Sequence, residues 1–455
     1  MTIPTPAVPL ARIGSEAAEL VVNAPPLTLV RDTPAARTNS GLIPIVASAL
    51  IVSASFFSAP ILTDSLNGKA AADATLRLSL GYKLLAPICD TLDTISLFSQ
   101  RQHLAFLITC LLVYISWRIL RVHRRGIGSV RLRPELAAFS KALMALIGVY
   151  VIGAMLPRPI ASISMSSPDA IVIDFHSHTR YSWDGVSGFS PEESRRWHQA
   201  SGFNVAYITD HSTFAGAEEA ALSNPAHAGD GTVLLSGIEV RDRGNHLVVL
   251  GTGAGDWQSY TAGDLHELTF RRETSARGSA RPIVLFTLPG TLQSETAMSV
   301  DGIELSDAAP RGLSQSDAEH AEIVALAREQ NKPVLASSNN HGWASASPAW
   351  SVMDIHNWRT MTPSQLDTSI RRALLNGGFA SVRVIDRRAP APVSIAGVAM
   401  TVPDAALALL AHMSWAERFS WLGWLWFSYV LVLFARRFRS SERRVEEIRE
   451  LRRAS

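Results

Sequence analysis

The chain has 455 residues, a net charge of +2 and 18% charged residues. This length corresponds to two or three folding units, and 47% hydrophobic residues with so little charge is unusual for a wholly soluble protein. The small net charge does not favour nucleic-acid binding. With only two cysteines, Cys89 and Cys110, the polar middle of the chain can hold neither a disulfide framework nor a cysteine-ligated zinc site.

Four apolar segments are candidates to cross a membrane, which takes about 20 residues of helix. They are residues 41–62, 103–120, 136–156 and 419–435. The first follows forty residues that we interpret as an N-terminal tail, so it is not a cleaved signal peptide. Residues 76–98 are apolar in places but contain Lys83, Asp90 and Asp93, and we interpret them as an amphipathic or partly buried segment.

Arginine clusters predict the orientation, because Lys and Arg in short loops favour the cytoplasmic side. Five arginines lie at positions 121–133, and the basic tail 436–455 opens with Arg436 and Arg437. Both regions are expected in the cytoplasm. Residues 157–415 are then expected on the non-cytoplasmic side of the cell (inner) membrane, in the periplasm or outside the cell. The alternative is that one of these segments is a core helix, which would reverse the orientation.

Between the spans, from about residue 165 to residue 390, short apolar runs alternate with helical patterns. Strands are predicted at 171–174, 203–209, 232–235, 246–250, 282–287, 302–305, 334–337 and 379–385. Helices are predicted at 190–201, 316–331 and 362–377, each opened by a Ser or Thr cap with Glu or Gln three residues later. This alternation indicates an α/β fold with a parallel sheet, open or closed into a barrel. Residues 391–418 are interpreted as a linker.

Ionisable side chains stand next to the predicted strand ends. They are His176, His178, Asp184, Asp210, His211, Glu239, His246 and His341. Because parallel strands end at one edge of the sheet, we expect most of them to converge. His176 and His178 are two positions apart, so in an extended segment both point the same way and can hold one metal ion. Imidazole with carboxylate suits zinc, manganese or iron.

Four motifs contain most of these residues: HSHTRYSWDG from His176, ITDHS from Ile208, GIEV from Gly237 and NHLVVLG from Asn245. The first two are specific, and together the motifs resemble the PHP (polymerase and histidinol phosphatase) domain family over residues 171–385. The resemblance is closest to stand-alone phosphoesterases. It implies a distorted (β/α)7 PHP-type barrel, here flanked by N-terminal transmembrane helices and one C-terminal transmembrane helix, with one to three divalent metal ions.

The resemblance also implies a ligand set. His176, His178 and Glu239 would hold a first metal ion, and Glu239 would bridge to a second ion that His246 also binds. Asp184, His211 and His341 would hold a third. Two positions depart from the family: Leu288 stands where a His-Pro histidine is usual, and Asn339 stands where an Asp-x-His aspartate is usual. Asn339 can offer only a carbonyl oxygen, so one or two ions are expected more readily than three.

The resemblance implies hydrolysis by a metal-activated water, most readily of a small-molecule phosphate ester. His176, His178 and His211 would be catalytic, and Arg180 or Arg241 would bind the phosphate. Two alternatives stay open: a hydrolase of amide or carbamate-type esters, and a degenerate metal- or ligand-binding sensory module without turnover. The expected partners are this substrate and the lipid bilayer, and no nucleic acid.

Overall fold

The computed structural model describes residues 41–124, 132–242, 245–252, 281–287, 299–387 and 391–454. The predicted tail 1–40 and the Leu288 position lie outside the described residues. The chain divides into a short unit that ends at Ala47 and a large unit that begins at Ser48. Within the short unit, only the first residues of one helix are described.

The described strands and helices are as follows. The strands are β1 (Thr63–Asp64), β2 (Lys69–Ala70), β3 (Ala74–Arg77), β4 (Ser162–Met165), β5 (Ala170–Ser177), β6 (Val205–Ile208), β7 (Val233–Asp242), β8 (Asn245–Leu250), β9 (Ile283–Phe286), β10 (Gly302–Ser306), β11 (Val334–Ala336), β12 (Ala349–Asp354) and β13 (Arg383–Asp386). The helices are α1 (Leu42–Ser53), α2 (Leu80–Leu84), α3 (Ala86–Ser96), α4 (Gln100–Arg124), α5 (Leu132–Met155), α6 (Pro191–Ser201), α7 (Ala215–Ala221), α8 (Asp317–Glu329), α9 (Pro363–Gly377), α10 (Ile395–Ala399), α11 (Thr401–His412) and α12 (Trp415–Ala454).

Most of these strands form one large mixed sheet in the order β11-β10-β9-β8-β7-β6-β5-β12-β13-β1-β2. Strands β5, β6 and β7 are parallel neighbours, as are β9, β10 and β11. Strand β8 runs antiparallel to β7 and β9, and β12 runs antiparallel to β5 and β13. The prediction of parallel pairing is therefore confirmed for β5–β6–β7 and for β9–β10–β11 and is wrong for β8. Only residues 243–244 separate β7 from β8, and a parallel crossover needs a far longer connection.

The sheet curls so that the end of β11 lies beside β5 and β12. The Ser351 hydroxyl on β12 accepts a hydrogen bond from the Ala336 amide and donates one to the Ala336 carbonyl, both at 2.8 Å. The Asn339 amide donates to the His176 carbonyl at 2.8 Å. No ladder joins β11 to these strands within the described residues, so the predicted seven-stranded barrel is not confirmed. The contacts nevertheless bring the carboxyl ends of β5 and β11 together.

The interior of the sheet is apolar, and its helices begin where the sequence predicts. Every residue of β5 is buried. The side chains of Ser190, Ser316 and Thr362 each accept a hydrogen bond from the amide three residues on, at the starts of α6, α8 and α9. These three predicted caps are confirmed. Strand β12 and helix α7 were not predicted.

The predicted linker 391–418 is mostly helical, which corrects that interpretation. Helices α10 and α11 occupy Ile395–Ala399 and Thr401–His412. The physical reason lies in the sequence of α11, TVPDAALALLAH, because Ala and Leu are the strongest helix formers.

Three helices of the described chain are long and apolar enough to cross a membrane, judged by length and composition: α4, α5 and α12. They overlap the predicted spans 103–120, 136–156 and 419–435. The first predicted span, 41–62, is helical only as α1 and the 3-10 turn Ala54–Phe57, which together are shorter than a bilayer crossing requires. Residues 76–98 fold into α2 and α3 with Asp90 and Asp93 buried, in line with a partly buried segment.

Candidate metal centre

The HSHTRYSWDG motif begins at the end of β5 and folds back in a loop that the carboxylate of Asp210 stabilises. Asp210, which follows β6, accepts hydrogen bonds from the Thr179 amide at 2.6 Å, the Thr179 hydroxyl at 2.7 Å and the Ser182 hydroxyl at 3.0 Å. Asp210 is fully buried, so these three donors replace the water that it loses on folding. They place Asp184 and His178 on the same side of the sheet edge as His211.

The Glu239 carboxylate, in the middle of β7, is surrounded by four imidazoles. Its Oε2 lies 3.2 Å from His176 Nε2, 3.3 Å from His178 Nε2 and 3.0 Å from His211 Nδ1. Its Oε1 lies 2.5 Å from His246 Nδ1. One carboxylate therefore contacts three histidines through Oε2 and His246 through Oε1. A ligand that bridges two metal positions requires this arrangement.

Three overlapping sets of donors in this cluster could each hold one metal ion, because their ligand atoms lie within 4.8 Å of one another. The sets are His176, His178 and Glu239; His211, Glu239 and His246; and His178, His211 and His341. Asp184 joins the last set: its Oδ1 lies 3.2 Å from His341 Nε2 and its Oδ2 lies 3.4 Å from His211 Nε2. The residues predicted to bind metal all belong to these sets or touch them. Asn339 does so through its backbone carbonyl, which lies 3.0 Å from His341 Nδ1.

Three of the histidines are oriented through their second ring nitrogen. His178 Nδ1 lies 2.9 Å from the Ser182 hydroxyl, and His341 Nδ1 lies 3.0 Å from the Asn339 carbonyl oxygen. His176 Nδ1 lies 3.3 Å from Glu304 Oε1. Each contact leaves Nε2 toward the cluster, which is the usual way in which proteins fix the orientation of metal-ligating histidines.

Burial and contacts within the cluster shift the pKa values of its residues in different directions. Burial lowers the pKa of His178 well below its ordinary value and also lowers the pKa of His341. Burial acts in the same direction on His176, but the carboxylates of Glu239 and Glu304 outweigh it and raise its pKa well above that value. Burial raises the pKa of Glu239, and the surrounding imidazoles outweigh it, so that this pKa lies well below its ordinary range. Glu239 is thus a charged carboxylate.

The residues present fit a divalent cation. Asp184 Oδ1 and His341 Nε2 are buried and face each other at 3.2 Å without forming a hydrogen bond, and the buried Asn339 Oδ1 has no hydrogen-bond partner among the described residues either. A buried polar atom without a hydrogen bond costs free energy, and an ion coordinated between Asp184 and His341 would satisfy both of their atoms. The donors are imidazole nitrogens and carboxylate or amide oxygens, the set that zinc, manganese and iron accept.

The two arginines predicted as phosphate ligands differ in position. The Arg180 guanidinium donates to Glu219 Oε2 at 2.9 Å and lies over the Tyr181 ring, so the structure does not bring it into the cluster. The exposed Arg241 donates through Nε to His246 Nε2 at 3.2 Å and does contact the cluster. His198, outside the cluster, lies 2.8 Å from Asp174 Oδ2 and is fully buried.

Sequence reasoning missed three residues at this site. Glu304 in β10 contacts His176, and Asp307, just after β10, accepts a hydrogen bond from Asn339 Nδ2 at 2.9 Å. Burial and the nearby Glu304 raise the pKa of Asp307 to about 8. Trp183, which is 76% exposed, stacks on the His211 ring at 5.9 Å. The strand-end rule that found the histidines could also have found Asp307.

No protein-family model matches this sequence, and no curated protein matches it. Similar solved structures include PsfC from Pseudomonas syringae, with 15% identity over 54% of this chain and 100% of that chain and a TM-score of 0.35. A Bifidobacterium adolescentis protein described as a metal-dependent phosphoesterase has 16% identity over 44% of this chain and 96% of that chain, with a TM-score of 0.28. A two-domain Bacteroides vulgatus protein containing a predicted PHP-like metal-dependent phosphoesterase has 14% identity over 45% and 63% of the chains, with a TM-score of 0.30. These scores are low, so the functional argument rests on the residues of the site.

Proposed function

We propose that the protein is a membrane-anchored, metal-dependent phosphoesterase of the PHP type that acts on the non-cytoplasmic side. The observation that carries this proposal is the single Glu239 carboxylate within 3.3 Å of His176, His178, His211 and His246. A buried charge so placed has no structural need for four imidazoles, whereas a site for one or more divalent cations requires such donors.

The donors divide into a buried floor and a more open rim. His176, His178 and Glu239 are at most 3% exposed in their side chains, so they would hold a cation away from bulk water. His246 is 35% exposed, and His211 and His341 are partly exposed, so a substrate would approach from their side. When bound, the cation would supply a water activated at neutral pH and a Lewis acid for the phosphoryl oxygens.

Two further groups at the rim suit a phosphate ester. Arg241 carries a permanent positive charge beside His246 and would bind non-bridging phosphoryl oxygens. An imidazole of the open side that does not bind the cation would protonate the leaving alcohol. The Trp183 ring covers one face of His211 and would limit the access of water to it.

The strand pairing supports the proposed sidedness. Strands β1 and β3, which precede α4, pair with β13 and β4, which follow α5. The chain before α4 and the chain after α5 therefore pair with each other, and both would lie on one side of the membrane. Helices α4 and α5 would cross and return, with the arginine-rich connection on the other side. Since arginine-rich short loops favour the cytoplasm, the domain would face away from it.

The activity is tested on the full-length chain in detergent, loaded with manganese or zinc. We expect metal-dependent hydrolysis of aryl phosphate monoesters or diesters, lowered about 100-fold or more by Glu239→Gln because the bridging charge is lost. The control is His356→Gln, since His356 is exposed and contacts only Asp169 among the described residues. Hydrolysis of aryl esters or amides instead would favour the alternative hydrolase, and metal binding without any turnover would favour the sensory module.

A further inference from the structure

Two buried carboxyl groups stand directly behind His176 and Asn339, the position that departs from the family pattern. Glu304 and Asp307 lie at the carboxyl end of β10 and are each 2% exposed. One touches His176 and the other touches Asn339. Neither carboxyl group belongs to the three donor sets. Glu304 contacts Nδ1 of His176 and Asp307 contacts Nδ2 of Asn339, whereas a cation would bind the other atoms, Nε2 and Oδ1.

The Asp307 contact decides which end of the Asn339 amide is available. The amide nitrogen faces Asp307, because Nδ2 donates a hydrogen bond to Asp307 Oδ2 at 2.9 Å. The other end, Oδ1, is buried and has no hydrogen-bond partner among the described residues. A buried oxygen kept without a donor is suited to bind a cation.

The backbone of Asn339 fixes it beside the cluster. Its amide donates to the His176 carbonyl at 2.8 Å, and its carbonyl lies 3.0 Å from His341 Nδ1. Its φ is +45°, a conformation that Asn and Asp adopt more readily than other side-chain-bearing residues. An aspartate would therefore also be accepted at this position.

Glu304 orients the His176 ring in the same way as Asp307 orients the Asn339 amide. His176 Nδ1 lies 3.3 Å from Glu304 Oε1, while its Nε2 lies 3.2 Å from Glu239 and 3.0 Å from His178 Nε2. A carboxylate on the far ring nitrogen orients a metal-ligating imidazole and increases its basicity.

We propose that Glu304 and Asp307 are positioning residues of the metal centre: Glu304 orients His176, and Asp307 presents the Asn339 amide oxygen as a ligand. This inference rests on the proposed metal-dependent function. It also gives the Asn339 position a role in metal binding, in place of a lost ligand.

The test measures manganese and zinc affinity of the full-length chain by calorimetry or chelator competition, without reference to turnover. We expect Glu304→Gln and Asp307→Asn each to weaken binding about 10- to 100-fold, the usual effect of losing a partner behind a ligand. Glu322→Gln is the control, because it removes an equal charge from an exposed position. Thermal unfolding without metal identifies any variant that fails to fold.

A double variant separates positioning from simple damage. Asp307→Asn combined with Asn339→Asp exchanges the carboxylate and the amide and keeps both the total charge and the hydrogen bond. We expect it to recover affinity to within a few-fold of the wild type. If both single variants bind metal as the wild type does, or if the double variant stays as weak as Asp307→Asn, the inference is wrong. If the wild type itself binds no metal, the proposed function fails first.

Discussion

At the scale of single residues, the centre is a charged carboxylate inside a shell of imidazoles with unequal basicity. His178 and His341 have lowered pKa values and are ready to coordinate a cation, whereas the pKa values of His176 and His211 are raised by Glu239. For His176 and His211, burial opposes this rise and is outweighed. A cation entering the cluster must therefore displace protons from these two rings.

Metal affinity is therefore expected to depend on pH and to decrease as the pH is lowered. Because the raised pKa values keep His176 and His211 protonated into the neutral range, metal affinity should fall as the pH is lowered through that range, by up to about tenfold per pH unit for each proton displaced. Calorimetry in buffers from about pH 6 to about pH 8.5, with buffers of different ionisation enthalpy, measures both the affinity and the proton release. Affinity that is constant across this range would contradict the assignment of these rings as ligands.

The sequence alone predicted the histidines of this site but not the carboxylates behind them. His176 and His178 could be found because alternate positions in a strand share a face and because they follow an apolar run. Glu304 could not, because a single carboxylate within a strand is most often a solvent-facing residue, and only the curl of the sheet buries it against His176. Its role depends on a contact between residues that are 128 positions apart.

At the scale of secondary-structure elements, the metal loop depends on the close packing of α7 against Asp210. Gly216 lies in α7, and a Cβ at this position would clash with Asp210 Oδ2 and Thr179 Oγ1. These are the same atoms that fold the loop 179–185 back toward the cluster.

Gly216→Ala should therefore push Asp210 away from the loop and disturb Asp184 and His178. We expect a loss of about 1–3 kcal/mol in the free energy of unfolding, together with weaker metal binding. Gly188→Ala is the matched control, since a Cβ there would meet no described atom within 4 Å. Chemical denaturation and metal titration of the two variants provide the comparison, and equal effects of both substitutions would contradict this account of the loop.

The elements themselves were predicted unevenly, for physical reasons. The three capped helices could be recognised because their caps are local in sequence. The direction of β8 was not predicted, because the preceding strand was expected only at 232–235, whereas β7 continues to Asp242. Only two residues then separate β7 from β8, and a parallel crossover needs about a dozen or more, so the two strands pair antiparallel.

At the scale of the whole molecule, a buried network of charged side chains joins the large sheet, which carries the histidine cluster, to helix α3 and to the end of α5. Asp93 on α3 is bound by Arg158 at 2.9 Å, by Arg387 at 3.2 Å and by the Tyr82 hydroxyl at 3.1 Å. Arg158 follows α5 and Arg387 follows β13, so one carboxylate fixes three parts of the chain. Removing one partner of a buried pair leaves an uncompensated charge, so both arginines contribute to the stability of this junction.

Under the proposed function, the domain and the end of α5 nearest to this junction would lie on one side of the membrane. Cysteine labelling of intact cells with a membrane-impermeant maleimide tests the side. We expect His356→Cys, at an exposed position of the domain, to react from outside, and Ser440→Cys, beyond the apolar part of α12, to react only after permeabilisation. The wild type is the control, since Cys89 is buried and Cys110 lies within α4. The reverse labelling pattern would place the domain in the cytoplasm.

The central claim is that imidazoles and carboxylates from separate strands form one cation site, and the metal content of the purified full-length chain tests it most directly. His178 belongs to two of the three donor sets, so His178→Ala should remove most of the bound metal, while His356→Gln should keep it. After dialysis, the account predicts at least one ion of zinc, manganese or iron per chain by elemental analysis of the wild type. A wild type without bound metal, or a His178→Ala variant that retains the full amount, would contradict it.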